Sequence, residues 1–498
     1  MFDAAESDPA LSREEARPLE ERLRTALLKA QYARIKQARR ALLIVIAGID
    51  GVGKGASVSL LNEWMDARHI RTLAFGEPTA EERGHPALWR YWRQLPAKGK
   101  IGIVFGSWYQ PLLTEAARKK PDQARIAQFA QDIREFEDTL AHNGVQVVKL
   151  WYHLSKQAQK TRTDALLSSP ETAWLVRPED IKVRKKFERL RNAGSLAISL
   201  TDTEHAPWRI IPAADKEMRA ISTGRAVLAA LREKAPAANR APAGPPALPD
   251  GQAGAAQAPR LEDVDYAAKL EDDEYEARLA GAQAKLATLV RRDGFQRIPL
   301  IIVFEGQDAA GKGGAIRRIT RALDARQFQA IPISAPTDVE LAHPYLWRFW
   351  RDLPGPGHIA LFDRSWYGRV LVERVEGYAS PAEWQRAYGE IRQFEAQLQH
   401  GGALLLKFWL AITKDEQLQR FHERQASPFK SFKITPEDWR NRKKWDAYHV
   451  ATNDMLLHTS TPASPWRVIS ANDKRHARVA VLEHIVKALE SALEDQDK

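Results

Sequence analysis

Ten apolar runs punctuate the chain, and they fall into two sets of five. The first set lies at 41–48, 71–76, 101–105, 145–152 and 207–212, the second at 298–306, 329–334, 358–363, 403–412 and 466–471. Between most of them, apolar positions recur at helical spacing. Strands that are apolar on both faces and alternate with helices belong in a parallel sheet covered on both sides, so each set predicts an α/β domain. A long charged helical pattern precedes each set, at about 11–40 and 261–293.

The two sets are copies. Gly48-Ile-Asp50-Gly-Val-Gly53-Lys54-Gly55 returns as Gly306-Gln-Asp308-Ala-Ala-Gly311-Lys312-Gly313, 258 positions later, and the same offset relates His85 to His343 and Trp208 to Trp466. A fixed offset over that distance makes the chain a tandem duplication, in which each copy serves as the reference for the other. Residues 235–260 are dominated by Ala, Pro and Gly, cannot bury a core and read as a semi-extended linker. The expected organisation is therefore a first domain over 1–234, the linker over 235–260 and a second domain over 261–498.

Composition narrows the chemistry. None of the runs approaches the roughly 20 apolar residues that span a bilayer, and the acidic, proline-containing N-terminus lacks a signal-peptide core, so no membrane partner and a cytoplasmic location are expected. The absence of cysteine excludes disulfides, thiolate nucleophiles and cysteine-ligated metals. An excess of basic over acidic residues, 75 against 64, gives a formal charge of +11 and favours polyanionic partners without choosing among them.

The repeated glycine-rich motif chooses. A strand followed by G-x-x-x-x-G-K is a P-loop arrangement, in which backbone N–H groups and a helix N-terminus surround phosphate oxygens and a lysine adds charge. In the second copy this points to Gly306, Gly311, Lys312, Gly313 and Gly314; in the first, to Lys54. Both copies put glycine, Gly313 or Gly55, where P-loops usually carry the Ser/Thr hydroxyl that holds magnesium. Asp308 and Asp50 are alternative oxygen donors within the loop, although an Asp in a tight turn also caps backbone N–H groups.

The copies part company at the third strand. In the second copy it ends in Asp363 and Arg364, at the carboxyl edge where ligands of open α/β sheets bind, the place for a metal-binding carboxylate. The first copy has Phe105 and Gly106 there, yet keeps Ser107, Trp108 and Tyr109 opposite Ser365, Trp366 and Tyr367. Further cations vanish in the first copy: Arg369 faces Pro111, Arg374 faces Ala116, Lys430 faces Thr172 and Lys433 faces Leu175. A site that stabilises phosphoryl transfer needs metal and Arg/Lys charge. The first copy is thus expected to be degenerate, keeping Asp50 and Lys54 but no active site.

Two further segments carry charge. Trp347, Arg348, Trp350 and Arg351 repeat at helical spacing in both copies, the tryptophans suited to packing and the arginines to either solvent or a polyanion channel. Thr413 to Glu416 has the form of a capping box opening a helix with Arg420 and Arg424, followed by Lys430, Lys433, Arg440, Arg442, Lys443 and Lys444. Such a basic helical segment, late in a P-loop domain, suits either a lid that excludes water from phosphates or a solvated helical face.

Taken in order, G-x-D-x-x-G-K-G, H-P-Y-L-W-R-F-W, F-D-R-S-W-Y-G-R and S-P-F-K-S-F-K-I-T-P-E-D-W resemble the motifs of polyphosphate kinase family 2, over nearly all of both copies. The tandem form is similar to the two-domain subgroup of that family. The resemblance implies tandem P-loop kinase-like domains, each a mostly parallel sheet flanked by helices with a basic lid. It also implies transfer of the terminal phosphoryl group of inorganic polyphosphate to AMP, giving ADP, in the second copy. Asp308, Lys312, Asp363 and Arg364 are then the catalytic group. Asp308 and Asp363 hold Mg²⁺, with Mn²⁺ as the alternative ion, and Arg369, Arg374, Arg420, Arg424, Lys430 and Lys433 neutralise the polyanion. Nucleic acid is a disfavoured partner and self-association is left open. The alternatives are polyphosphate-dependent phosphorylation of nucleoside diphosphates, an ATP-dependent nucleotide kinase and a non-catalytic polyanion-binding scaffold.

Overall fold

The computed structural model describes residues 1–176, 186–234 and 258–496. Its two compact units are Met1–Pro78 with Arg90–Ala237 and Pro336–Trp347, and Thr79–Trp89 with Ala238–Ala335 and Arg348–Lys498. Most of the expected linker, 235–257, lies outside the described residues; 258–260 lead into a short turn of helix at Leu261–Asp263.

In unit 1 the strands are β1 (Ala41–Gly48), β2 (Ile70–Ala74), β3 (Ile101–Phe105), β4 (Val145–His153) and β5 (Trp208–Pro212). In unit 2 they are β6 (Leu300–Gly306), β7 (Phe328–Pro332), β8 (Ile359–Asp363), β9 (Leu404–Ala411) and β10 (Trp466–Ser470). The strand orders, β2-β3-β1-β4-β5 and β7-β8-β6-β9-β10, are the same, and each neighbouring pair runs parallel. The ten apolar runs are thus the ten strands. β6 is buried on both faces up to Glu305, whereas the edge strand β7 buries only Ile331, as expected when one side of a strand lacks a neighbour.

The order decides where a ligand can sit. β6 lies between β8 and β9, so the chain leaves its two sides in opposite directions and opens a crevice at its carboxyl end. One layer is the core of β6, β8 and β9 against the helices Asp272–Leu289, Lys312–Thr320 and Lys474–Gln496. The charged helical patterns are shorter than expected. The first is helix Arg13–Gln37, opened by a capping box of Ser12 and Glu15. The second spans only Asp272–Leu289, because the preceding residues form the 3₁₀ turn and an irregular stretch with a turn at 266–267.

The retained Ser-Trp-Tyr segment has a structural explanation. Lys407 of β9 is fully buried and donates to Glu395 at 2.7 Å, to Tyr367 Oη at 3.1 Å and to the Thr459 carbonyl at 2.7 Å. Trp366 and Tyr367 both donate to the same Glu395 carboxylate. Lys149, Glu137, Trp108, Tyr109 and Thr201 repeat this network in unit 1. A fully bonded buried ion pair tolerates no loss of one partner, so both copies keep the segment whether or not they keep chemistry. The tryptophans at 89, 92, 347 and 350 are likewise buried, which is the packing role.

Candidate active site

The loop after β6 owes its shape to residues that accept left-handed backbone. Gly306 has φ 146°, and a Cβ there would lie 2.4 Å from the Leu410 carbonyl oxygen, so the strand can leave the sheet this close to β9 only as glycine. Gly311, at φ 109°, is the N-cap of helix Lys312–Thr320. Ala309 and Arg364 are left-handed too, each at φ 66°, a conformation that costs a non-glycine residue about 1 kcal/mol or more. Their counterparts Gly51 and Gly106 carry no such cost.

Lys312 is buried beneath the loop and donates to the carbonyls of Gly306 (2.8 Å) and Gln307 (3.3 Å). Desolvation pushes its pKa down, opposed by the nearby Asp363 carboxylate. Asp308 is held at both oxygens: Arg364 Nη2 donates to Oδ1 and Asn441 Nδ2 to Oδ2, each at 2.9 Å. Asp363, at the end of β8, makes no side-chain hydrogen bond or ion pair among the described residues. A Cβ on Gly313 would be 3.8 Å from Asp363 Oδ2. The glycine that departs from the usual P-loop pattern therefore faces the open carboxylate.

Around these residues is an open cleft of about 510 Å³, lined by the loop from Asp308 to Ala315 and by Asp363, Arg364, Arg424, Lys430 and Lys433. It also takes Lys474 and Arg478, two cations that the sequence comparison did not single out. Cations from four separate elements converging on helix N-terminal N–H groups are an arrangement suited to a polyanion.

The other expected cations are placed differently. Arg420 lines the cleft but is 2% exposed; it donates to the carbonyls of Ala309 and Ala310 on one side and Ala471 and Asn472 on the other, and pairs with Glu416. It fastens the loop to the end of β10. Arg374 pairs with Asp454 at 2.8 Å and lies over Trp384; Arg369 pairs with Glu373 at 3.1 Å, and neither lines the cleft. Thr413 caps its helix by accepting from the Glu416 N–H.

Two further site residues escaped the sequence comparison. Glu305 is buried at the end of β6, where burial pushes its carboxyl pKa up, and accepts from Ser365 Oγ at 2.8 Å. It stands opposite Ala47, a charge difference hidden inside an apolar run. Asn441 is opposite Val183, which lies outside the described residues.

Unit 1 shows what these losses do. With no Arg at 106, Asp50 turns to its own loop lysine: Lys54 Nζ lies 2.9 Å from Asp50 Oδ1 and donates to the Gly48 carbonyl at 2.8 Å. Gly106 has φ 80°, and a Cβ there would sit 2.0 Å from the Phe75 carbonyl oxygen. The guanidiniums of Arg162 and Arg219 crowd the loop, about 3 Å from where a Gly53 Cβ would be, whereas the space at Gly311 is open.

As to a metal, no cluster of three or more His, Asp or Glu suited to one occurs among the described residues. One open carboxylate, Asp363, and one shared carboxylate, Asp308, fit an ion such as Mg²⁺ that keeps several waters and takes its other oxygens from substrate phosphates.

A family model for polyphosphate kinase 2 matches residues 10–239 and again 269–497. The chain is 45% identical to a polyphosphate:AMP phosphotransferase of Pseudomonas aeruginosa and 44% identical to one of Pseudomonas syringae pv. tomato, with 99% of each chain covered in both cases. Its fold also matches the crystal structure of a protein described as a polyphosphate kinase 2 from P. aeruginosa, with a TM-score of 0.87, 43% identity and 99% of both chains covered. Two repeated P-loop units, matched by the family model once each, make this chain a member of the polyphosphate kinase 2 family.

Proposed function

We propose that the chain transfers the terminal phosphoryl group of inorganic polyphosphate to AMP, producing ADP, and that the chemistry takes place in the second domain, residues 261–498, while the first, residues 1–234, is catalytically silent. The observation that carries this reading is the convergence, in unit 2, of the open Asp363 carboxylate, the Asp308–Arg364 pair and a cation-lined cleft of about 510 Å³. The full-length relatives named polyphosphate:AMP phosphotransferases support the choice of donor and acceptor. The reading also places the enzyme in the cytoplasm with its nucleotide substrates; among the described residues, no helix is long and apolar enough to cross a membrane.

In the reaction an α-phosphate oxygen of AMP attacks the terminal phosphorus of polyphosphate in line. A new P–O bond forms, the bond to the next bridging oxygen breaks, and the chain departs one phosphate shorter with the negative charge on its new terminal oxygen. The attacking oxygen is already anionic at neutral pH, so no side chain has to remove a proton. Loop N–H groups and Lys312 hold phosphate oxygens. Arg364, fixed by Asp308, meets charge developing on the transferred group, and Arg424, Lys430 and Lys433 hold the remainder of the donor. Closure of the segment carrying Lys430 and Lys433 would exclude water and favour AMP as acceptor. Asp363, with Asp308, would hold Mg²⁺, which supplies charge neutralisation when bound.

The test is chromatography of nucleotide products after incubation with AMP, polyphosphate and Mg²⁺, beside an ATP-donor control. ADP made from polyphosphate in the absence of ATP supports the reading. Turnover with ATP alone, or binding of polyphosphate without ADP, would refute it.

A further inference from the structure

The basic segment late in unit 2 sends its cations to two destinations. Lys430 and Lys433 line the cleft. Arg440 and Lys444 do not: Arg440 Nε lies 3.1 Å and Lys444 Nζ 3.0 Å from the same Glu376 Oε2, and the Glu376 side chain is only 5% exposed. Lys444 Nζ also donates to the Val375 carbonyl at 3.3 Å, so backbone as well as charge ties the segment to the end of helix Val372–Val375.

The tie ends on the phosphate-binding loop. Helix Pro436–Lys443 carries both Arg440 and Asn441, and Asn441 Nδ2 donates to Asp308 Oδ2 while Arg364 holds Oδ1. Tyr448, on helix Trp445–Thr459, bridges the two ends: its hydroxyl is 3.3 Å from Asn441 Oδ1 and 3.5 Å from Glu376 Oε1. A hydroxyl donating to the amide oxygen leaves the amide NH₂ facing Asp308.

An ion pair on a surface does little, and a cation drawn to the nearest acid needs no further account. The burial of Glu376 and the duplicate sequence argue for more. In the first copy Arg118 stands opposite Glu376, Val183 opposite Asn441 and Leu190 opposite Tyr448, so all three members of the tie are replaced. They go with the counterparts of Asp363 and Arg364. General basic character stays, because Lys182 and Lys186 stand opposite Arg440 and Lys444. The helix's other anchor also keeps its residue types: Arg442 donates to the Lys414 carbonyl and to Gln417 Oε1, and Arg184 and Gln159 stand opposite Arg442 and Gln417. In unit 1, Arg118 pairs instead with Glu115.

We infer that Glu376 is a positioning residue for phosphoryl transfer: by holding Arg440 and Lys444 it seats the helix between them so that Asn441 orients the Asp308 carboxylate against Arg364. Glu376 acts through Asn441 and touches no phosphate. This rests on the reading of unit 2 as the site of transfer and names a contact that sets the geometry there.

Full-length Glu376→Gln, Asn441→Ala and the double variant test it, by steady-state kinetics with AMP, polyphosphate and Mg²⁺ varied in turn and by hydrogen exchange over residues 436–444. Glu376→Gln should lower kcat about tenfold or more and raise the half-saturating Mg²⁺ concentration, without raising KM for polyphosphate. Exchange over 436–444 should rise while that of β9 stays unchanged. The double variant should be no slower than the slower single one, because both changes cut the same path. Melting temperatures identify a variant that fails to fold; if Glu376→Gln does so, Lys444→Met, which leaves the carboxylate its Arg440 partner, takes its place in the comparison. Unchanged kcat in Glu376→Gln, or losses that multiply in the double variant, would overturn the assignment alone. Wild-type protein that makes no ADP from AMP and polyphosphate would overturn the functional reading and the assignment together.

Discussion

Arg364 Nη2 donates to Asp308 Oδ1 across 2.9 Å, joining the end of β8 to the phosphate-binding loop after β6. Both residues depend on that contact. Asp308 is kept from pairing with the loop lysine, and the Arg364 guanidinium, carried on a left-handed backbone, is held at the same mouth. In unit 1, where Gly106 replaces the arginine, Asp50 and Lys54 neutralise each other.

Removing the Arg364 side chain should therefore do more than delete one charge. Arg364→Ala is expected to lower kcat by about a hundredfold or more, the size of effect seen when one fixed donor to a developing charge is lost. Arg364→Lys should recover little of it, since an ammonium cannot reproduce a forked donor. Rapid-quench measurement of the transfer step checks this; near-wild-type kcat in Arg364→Ala would remove the residue from the mechanism.

Asp363 is open where Asp308 is not, so the two carboxylates should differ in their response to Mg²⁺. Asp363→Asn should raise the Mg²⁺ concentration needed for half-maximal rate. Full activity of the variant at limiting Mg²⁺ would contradict its role as a metal-holding group.

The cations of the cleft should separate into two kinds. Lys430→Ala and Lys433→Ala should raise KM for polyphosphate and flatten its dependence on salt, because each, on the proposed reading, would contribute a screened contact to the polyanion. Arg420→Met should instead lower the melting temperature and kcat together, since four backbone carbonyls lose their donor. A KM effect alone in Arg420→Met would return it to the group that touches substrate.

The N-terminal segment of unit 1 should loosen in acid. The Arg191 guanidinium holds the Glu6 carboxyl down to about 2, well under the ordinary value of 4.5. A depressed folded pKa gives stability that is present above 4.5 and lost as the pH falls toward 2, on the order of 3 kcal/mol at most. Hydrogen exchange at residues 2–8 should rise across that interval, before the β4 core does. A flat profile would mean that the pair does not fasten the segment.

Much of this site could be read from sequence because the duplication supplied a control. The loop residues 306–314 and the pair Asp363–Arg364 were visible as a motif and as a loss, and the structure gathers them. Glu305 was not visible, because a single acid within an apolar strand looks like an edge of the run, and only burial beside Ser365 gives it meaning. Arg374 was misleading for the opposite reason. Its loss in the first copy accompanies the loss of the Asp363 and Arg364 counterparts, yet its guanidinium is taken up by Asp454 and Trp384, a pairing no spacing reveals. Phe2, near the start of the chain, meets Trp151 and His153 only through the fold.

The central claim is that transfer takes place in the second repeat and not in the first. The most direct measurement is the rate of ADP formation from AMP and polyphosphate by full-length Lys312→Ala and Lys54→Ala proteins, each checked for an unchanged melting temperature. Lys312→Ala should lose nearly all activity and Lys54→Ala should retain it, because Lys54 is already neutralised by Asp50 beneath a loop crowded by Arg162 and Arg219. Loss of activity in Lys54→Ala with activity kept in Lys312→Ala would contradict the account.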